Sequence, residues 1–211
     1  MSSREDRLGE IISRYERAEK QLQKLIDSFK AQKEELVRGF TSQEGEKPLP
    51  LEDLKTFTDM VRQIIDNTSG RLNRILDSVK STKKDIESLK EGKLEVAELH
   101  KYLWGLAMTT MNRVADLYYY LHARERPRAL NVAVRIALGQ ILEHKFGLRT
   151  CIEDCLSPAL VSLLTYASDM VGDPLRKMVY EHTAFIAGNL WTILERDMTA
   201  PISPPAPVVT R

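Results

Sequence analysis

The chain has 211 residues, of which 43% are hydrophobic and 29% are charged, a composition typical of a folded globular protein and not of a disordered one. Its 31 Lys and Arg residues against 30 Asp and Glu residues leave a net charge of +1, which excludes the strongly basic overall charge that by itself marks a nucleic-acid-binding protein. Two cysteines and the charged start "MSSREDRLGE" predict no signal peptide and a reducing compartment, the cytoplasm or the nucleus.

Two long amphipathic helices are predicted in the first half of the chain. Apolar side chains recur with a heptad spacing over residues 8–36, and again over residues 51–89. Such a/d stripes are typical of helices that pack against another helix. The intervening "TSQEGEKPLP" is predicted to be a loop because it contains glycine and two prolines. Gly70 is expected to weaken the middle of the second helix.

The second half predicts four more helices. The third helix runs from Lys93 to Arg124 and is apolar on more than one face, which indicates a central, largely buried position. A shorter helix follows Pro127 and can be capped by Gly147. Next comes a core helix with Glu153 and Asp154 in its first turn, then a "GDP" turn at 172–174 and a last helix that continues to about Arg196. The fold class is therefore all-α, a bundle of about six helices in a single domain over residues 1–198. The Pro-rich residues 199–211 are expected to be a disordered tail.

No membrane-spanning segment is predicted. The apolar run from Leu156 to Val171 is shorter than the roughly 20 mostly apolar residues that a spanning helix requires. The other apolar stretch, "WGLAMTTMNRVADLYYYL", has Arg113 and Asp116 near its centre, where a charge is costly in lipid.

Sequence motifs for catalysis or metal binding are mostly missing. Phosphate-loop, dinucleotide-binding, HExxH and paired CxxC patterns do not occur. Cys151 and Cys155 have a spacing that could hold two zinc ligands, but the histidines are scattered singly, so we predict buried free cysteines, no metal and no cofactor. Glu153, Asp154 and Asp116 could bind magnesium. The alternative is that the first two complement a helix dipole while Asp116 faces a partner helix or solvent, and no catalytic residue is predicted.

Basic and aromatic residues are interleaved near both ends of the third helix. Single-stranded nucleic acid is held by such mixtures, because cations contact phosphates and rings stack on bases. The alternative is that the tyrosines belong to the core or an interface and that "RERPR" is a solvated loop. The predicted nucleic-acid-binding residues are His100 and Lys101 before Trp104, and Arg124, Arg126 and Arg128 after Tyr118, Tyr119 and Tyr120.

Four stretches of the second half together carry a family resemblance. They are "WGLAMTTMNRVADLYYYL" (104–121), "AVRIALG" (133–139), "IEDCLSPAL" (152–160) and "DPLRK" (173–177). In this order they resemble the translin and Trax family, although the part between the last two stretches is shorter than in that family. The resemblance implies an oligomeric all-α protein that binds single-stranded RNA or DNA, and for binding it points to His100 and Lys101.

The same resemblance implies that RNA is cut by the Trax-like subunit with carboxylates on two helices. The corresponding positions here are Thr110, Arg113, Val161 and Thr165, none of which is a carboxylate. The expected function is therefore a non-catalytic, translin-type subunit of a ribonuclease complex that acts with a Trax-like partner in RNA processing or silencing. Two alternatives stay open: a helical scaffold whose 8–36 and 51–89 stripes pair with partner helices, and a magnesium-dependent nuclease that uses Glu153, Asp154 or Asp116.

Overall fold

The computed structural model describes residues 4–42, 50–92, 96–122 and 129–199, and the side chains of all of these except 96–101 and 199. All regular structure in these ranges is helical, which confirms the all-α prediction. The elements are α1 (Arg4–Ala31), α2 (Lys33–Thr41), α3 (Leu51–Lys90), α4 (Val96–His122), α5 (Ala129–His144), α6 (Leu148–Cys151), a π-helical turn (Ile152–Leu156), α7 (Ser157–Asp169), α8 (Pro174–Gly188) and α9 (Leu190–Thr199).

Helices α1 and α3 form an antiparallel pair along the whole first half of the chain. Glu19 near the middle of α1 accepts a hydrogen bond from Lys83 at 2.5 Å, whereas Lys33, just after α1, pairs with the earlier Asp66 at 2.6 Å. Between the two helices lie most of the predicted heptad positions, which are buried. The stripes are thus used inside the chain, and the scaffold alternative, which assigned them to partner helices, loses its basis.

The first predicted helix is divided at Gln32, but its stripe continues across the break. Leu36 and Val37 of α2 are buried with the α1 residues. Helix α3, in contrast, runs without interruption through Gly70, as predicted. At its start Leu51 is 83% exposed, and the first buried member of the second stripe is Val61, nearly three turns later.

Helix α4 packs against α3, α5, α7 and α9, so it is central, as expected, but it is not buried on all sides. Its core face is apolar apart from one threonine. The opposite side is exposed at Tyr102, Thr109, Arg113, Asp116 and Tyr119. These residues recur at the spacing of one helix face, so α4 is an amphipathic helix with one solvent-facing stripe.

The helix that contains the two cysteines begins earlier than predicted. Gly147, with φ +67°, precedes α6, so Glu153 and Asp154 are not in the first turn of a helix. They lie in the π-helical turn, where the backbone N–H of Ser157 donates to the carbonyl of Ile152, five residues earlier. A π turn inserts one extra residue into a helix. The helix-dipole explanation for the two carboxylates is therefore wrong.

The last predicted helix is divided in two at Asn189. The Asp173 side chain caps the start of α8 by accepting from the backbone N–H of Leu175 at 3.2 Å, and Pro174 occupies the first turn as predicted. Helix α8 packs on α7, whereas α9 contacts α4 and the π turn. One hydrophobic core includes residues from every described helix. The tail predicted over residues 199–211 begins at Thr199, which is the last residue of α9, and residues 200–211 lie outside the described part of the chain. None of the described helices combines the length and the apolar character that crossing a membrane requires.

Candidate nucleic-acid interface

The five predicted nucleic-acid-binding residues lie outside the described side chains. Arg124, Arg126 and Arg128 belong to the segment 123–128 between α4 and α5, which is not described. His100 and Lys101 lie in the first two turns of α4, where the backbone is described and the side chains are not. Their roles stay predictions. Chain connectivity nevertheless places the two groups at opposite ends of α4.

A groove between α3 and α4 lies along the part of α4 between these two ends. It has a volume of about 280 Å³ and is lined by Arg74, Asp77, Ser78, Ser81, Leu106, Thr109 and Arg113. The lining positions recur every three or four residues on each helix, because one face of α3 meets one face of α4 there. The groove is thus a product of helix packing and not of a loop.

Short hydroxyl side chains keep this groove open. Ser78 donates its hydroxyl hydrogen bond to the carbonyl of Arg74 at 2.9 Å, and Thr109 donates to the carbonyl of Gly105 at 2.7 Å. Because these hydroxyl groups are satisfied by their own helices, they do not bridge the two walls. The groups that remain to bind a ligand in the groove are therefore the longer arginine side chains.

Two arginines of the groove are available for an anionic ligand. Arg74 and Arg113 are exposed, and within the described part of the chain neither forms an ion pair with a carboxylate. A guanidinium group binds phosphate through two parallel N–H donors. This pair of side chains, one from each wall, is suited to contact a phosphate backbone that runs along the groove.

Next to the groove, two more arginines enclose a tyrosine ring. The Arg71 guanidinium lies 4.2 Å from the centroid of the Tyr120 ring and the Arg135 guanidinium lies 4.8 Å from it. Arg71 also pairs with Asp116 of α4, and Arg135 donates to Asn131 at 2.6 Å. Cation–π contacts of this kind hold guanidinium groups in place. They fix a basic and aromatic cluster close to the start of segment 123–128.

The other tyrosines at the end of α4 do not belong to this cluster. Tyr118 is buried, stacks on His122 at 4.2 Å and meets Trp191 edge to face; burial raises its pKa to about 12. Tyr119 donates to Asp197 of α9 at 2.7 Å, and this hydrogen bond raises its pKa. Of the three adjacent tyrosines, Tyr118 is therefore a core residue, and Tyr120 is the one that arginines surround.

Near the start of α4, the aromatic residues also have structural partners. Trp104 is half-buried and meets the ring of Tyr180 edge to face at 5.5 Å. Tyr102 is exposed over 42% of its surface, and its pKa is raised by partial burial and by a hydrogen bond with Asp85. Of these two rings, that of Tyr102 is more accessible than that of Trp104 to a stacked base.

A second groove lies between α1 and the α5–α6 connection. Its volume is about 670 Å³, and its charged or imidazole lining residues are Arg17, Lys24, His144, Lys145 and Asp154. It is larger than the α3–α4 groove but contains a single arginine, and its Lys145 pairs with Glu35 at 3.6 Å. Because arginine both stacks on rings and binds phosphate bidentately, we take the α3–α4 surface as the better candidate.

The two cysteines lie at the wall of this second groove. Burial raises the pKa of Cys151 to about 12, and burial also raises the pKa of the half-buried Cys155. Both thiols are free and are held protonated at neutral pH, which is the form that neither ligates a metal nor attacks a substrate. Among the described residues, no group of three or more His, Cys, Asp or Glu side chains is arranged to hold a metal ion.

The carboxylates proposed for a magnesium-dependent nuclease are spread over the molecule. Glu153 accepts from Arg149 at 3.1 Å, Asp116 pairs with Arg71, and Asp154 lines the second groove. Each carboxylate lies on a different part of the surface, and Glu153 and Asp116 are paired with arginines. The described geometry offers this alternative no common site for a metal ion.

The four positions at which the predicted resemblance would place carboxylates are also separated here. Thr110 is fully buried, whereas Arg113 lines the α3–α4 groove. Val161 faces α8, where a Cβ atom at Gly188 would lie 3.4 Å from its side chain, and Thr165 is exposed. The structure therefore provides neither the residue types nor a shared cavity for cutting RNA at these positions.

Comparisons with protein-family models, with curated proteins and with solved structures gave no match to this chain. The geometry of the α3–α4 surface is therefore the basis for assigning a function. Sequence reasoning missed Arg71, Arg74 and Arg135 as members of this surface. The sequence feature that could have indicated this surface is the pair Arg113 and Asp116, two charged residues in the middle of an otherwise apolar helix.

Proposed function

We propose that this chain is a single-stranded nucleic-acid-binding subunit of the translin type, with its binding surface along α3 and α4. The supporting observation is the arrangement of Arg71, Arg74, Arg113 and Arg135 around one groove and one ring. Three successive helices, α3, α4 and α5, contribute these side chains. The resemblance of segments 104–121 and 152–160 to translin supports the same proposal.

In this proposal the arginines have two different tasks. Arg74 and Arg113 contact phosphates, because both are exposed on the walls of the groove. Arg71 and Arg135 hold the Tyr120 ring; Arg135 provides a positive charge near the end of α4, whereas Arg71 is paired with Asp116. His100 and Lys101 at one end, with Arg124, Arg126 and Arg128 at the other, extend the path of the strand. Backbone contacts of this type bind RNA or DNA largely without sequence preference.

The proposal assigns no catalytic residue to this chain. A ribonuclease complex would obtain its carboxylates from a Trax-like partner, because Thr110, Arg113, Val161 and Thr165 occupy the corresponding positions here. The complex would act in RNA processing or silencing, in the cytoplasm and the nucleus. Magnesium-dependent RNA cleavage by the purified chain alone would contradict this part of the proposal.

The binding surface is tested by removing its two unpaired charges. The double variant Arg74→Gln with Arg113→Gln should bind a labelled 20-nucleotide single strand about tenfold more weakly in fluorescence anisotropy at 100 mM salt. Each lost phosphate contact lowers the slope of log Kd against log salt by about 0.7 for a single strand. The slope should therefore fall by about 1.4.

The matched control is Arg38→Gln with Lys55→Gln, which removes the same charge at two exposed positions. Lys55 lies nineteen residues before Arg74 on the same helix, roughly 28 Å along its axis. The control should keep the wild-type slope. An equal loss of affinity in both double variants would show a non-specific charge effect and contradict the α3–α4 site. The double variant His100→Ala with Lys101→Ala tests the adjoining end of α4 in the same assay.

A further inference from the structure

Helix α8 carries an exposed apolar stripe that the proposed nucleic-acid surface does not use. Its inner face is buried against α7, with Tyr180, Thr183 and Ala187 at most 6% exposed. Its outer face presents large apolar side chains to solvent, among which Phe185 is 70% and Leu175 is 64% exposed. The complete stripe consists of Leu175, Met178, Val179, Phe185 and Ile186 of α8, with Ile193 of α9.

Four of these residues are spaced symmetrically about His182. Met178 and Val179 lie four and three residues before His182, and Phe185 and Ile186 lie three and four residues after it. Positions three and four residues apart share one face of a helix. A stripe with this symmetry is complementary to a second copy of itself that runs antiparallel.

We infer that the α8 stripe is a self-association surface that pairs two copies of this chain about a two-fold axis at His182. Met178 then faces Ile186 of the partner subunit, Val179 faces Phe185 of the partner subunit, and the two His182 side chains meet on the axis. Such an isologous contact closes after two copies. This inference stands independently of the proposed nucleic-acid function.

The exposed apolar area of the stripe is large enough for a weak dimer. With on the order of 170 Å² for each large apolar side chain, the stripe exposes roughly 500 Å², near the upper end for the largest patch on a monomer. Two copies would hide about 1,000 Å² in total, the lower end for a specific interface. Weak self-association follows, with a Kd on the order of 1–100 µM.

Charged residues lie beside the stripe and not within it. Lys177 and Glu181 pair with each other at 3.9 Å on one flank, and Arg176 on the other flank pairs with Asp173 at 3.6 Å. Within the stripe, the ring nitrogen Nδ1 of His182 donates to the carbonyl of Met178 at 2.9 Å. An apolar centre with a charged rim is the usual organisation of a protein interface.

The first test measures the mass of the full chain by sedimentation velocity from 1 to 500 µM. The wild type should shift from monomer to dimer, and Met178→Glu with Phe185→Glu should raise the dissociation constant at least tenfold. The control Leu130→Glu places the same charge at an apolar residue of α5 that is 54% exposed and should leave the dissociation constant unchanged. Circular dichroism of each variant verifies the fold.

The second test locates the axis. Helices in contact have axes about 8–10 Å apart, which puts two residues that face each other across the axis about 4–5 Å apart at Cα, within reach of a disulfide. In a background with Cys151→Ala and Cys155→Ser, the variant His182→Cys should cross-link on mild oxidation much faster than Lys177→Cys. A monomer at 500 µM, a dimer insensitive to the α8 variant, or equal cross-linking rates would each overturn the inference.

Discussion

Replacing Tyr15 by phenylalanine should stabilise the protein. Tyr15 occupies a heptad position of α1 and is 0% exposed, and within the described residues its hydroxyl has no hydrogen-bond partner. A buried hydroxyl without a partner costs roughly 1–3 kcal/mol, and burial also raises the pKa of Tyr15 well above its ordinary value. The substitution removes this cost and keeps the ring.

The loss of one oxygen leaves a small void. At about 24 cal/mol per Å³, a void of roughly 10–15 Å³ costs about 0.3 kcal/mol. The net expectation is an increase in the free energy of unfolding of about 1 kcal/mol. For a chain of this length, that increase corresponds to a rise in Tm of roughly 2–4 °C.

Urea denaturation followed by circular dichroism measures this difference. The matched control is Tyr119→Phe, because the Tyr119 hydroxyl donates to Asp197 at 2.7 Å at an exposed position. Its loss should lower the free energy of unfolding by about 0.5 kcal/mol. If Tyr15→Phe lowers the stability by as much as the control does, the hydroxyl is hydrogen-bonded in the folded protein and the reasoning fails.

Two further predictions concern glycines and a thiol. Gly70→Ala should raise the free energy of unfolding by about 0.5–1 kcal/mol, since no atom lies within 4 Å of the added Cβ. Gly139→Ala should lower the free energy of unfolding by about 1 kcal/mol, because the added Cβ would lie 3.3 Å from the Cβ of Leu121. Thermal melts compare the two variants, and equal effects would contradict the packing described at these glycines. Burial raises the pKa of Cys151 from 9.0 to about 12, so its thiol stabilises the fold fully below about pH 9 and loses that contribution as the pH rises toward 12. Urea melts from pH 8.5 to 10 should show a shallower decline for Cys151→Ala, by up to about 1.4 kcal/mol per pH unit, and an unchanged decline would mean that the thiol is accessible.

Periodicity predicted the large elements because it reports burial directly. The a/d spacing located α1 and α3, and the buried side chains of Leu22 and Leu72 occupy the predicted stripes. The breaks at Gln32 and Asn189 were missed, since neither interrupts the apolar pattern. No proline or glycine marks the first break, whereas Gly188 directly precedes the second and is a signal that periodicity alone overlooks.

The candidate surface could be predicted only in part. Composition drew attention to both ends of α4, but Arg71, Arg74 and Arg135 join Arg113 through packing of α3 and α5 against α4. Tyr118 and Tyr120 are two residues apart on one helix, and one faces Trp191 while the other faces arginines. Spacing along one helix does not reveal which neighbour each face meets.

The π turn at Ile152–Leu156 has a consequence for comparing this chain with other sequences. One extra residue in a helix rotates everything that follows by about 100°, so Leu160 and Leu163 reach the core through a register that a regular helix would not give. The segment "IEDCLSPAL", one of the four on which the predicted family resemblance rests, crosses this turn. An alignment to a relative with a regular helix there requires a one-residue gap inside that segment, and without the gap it would equate residues that point in different directions.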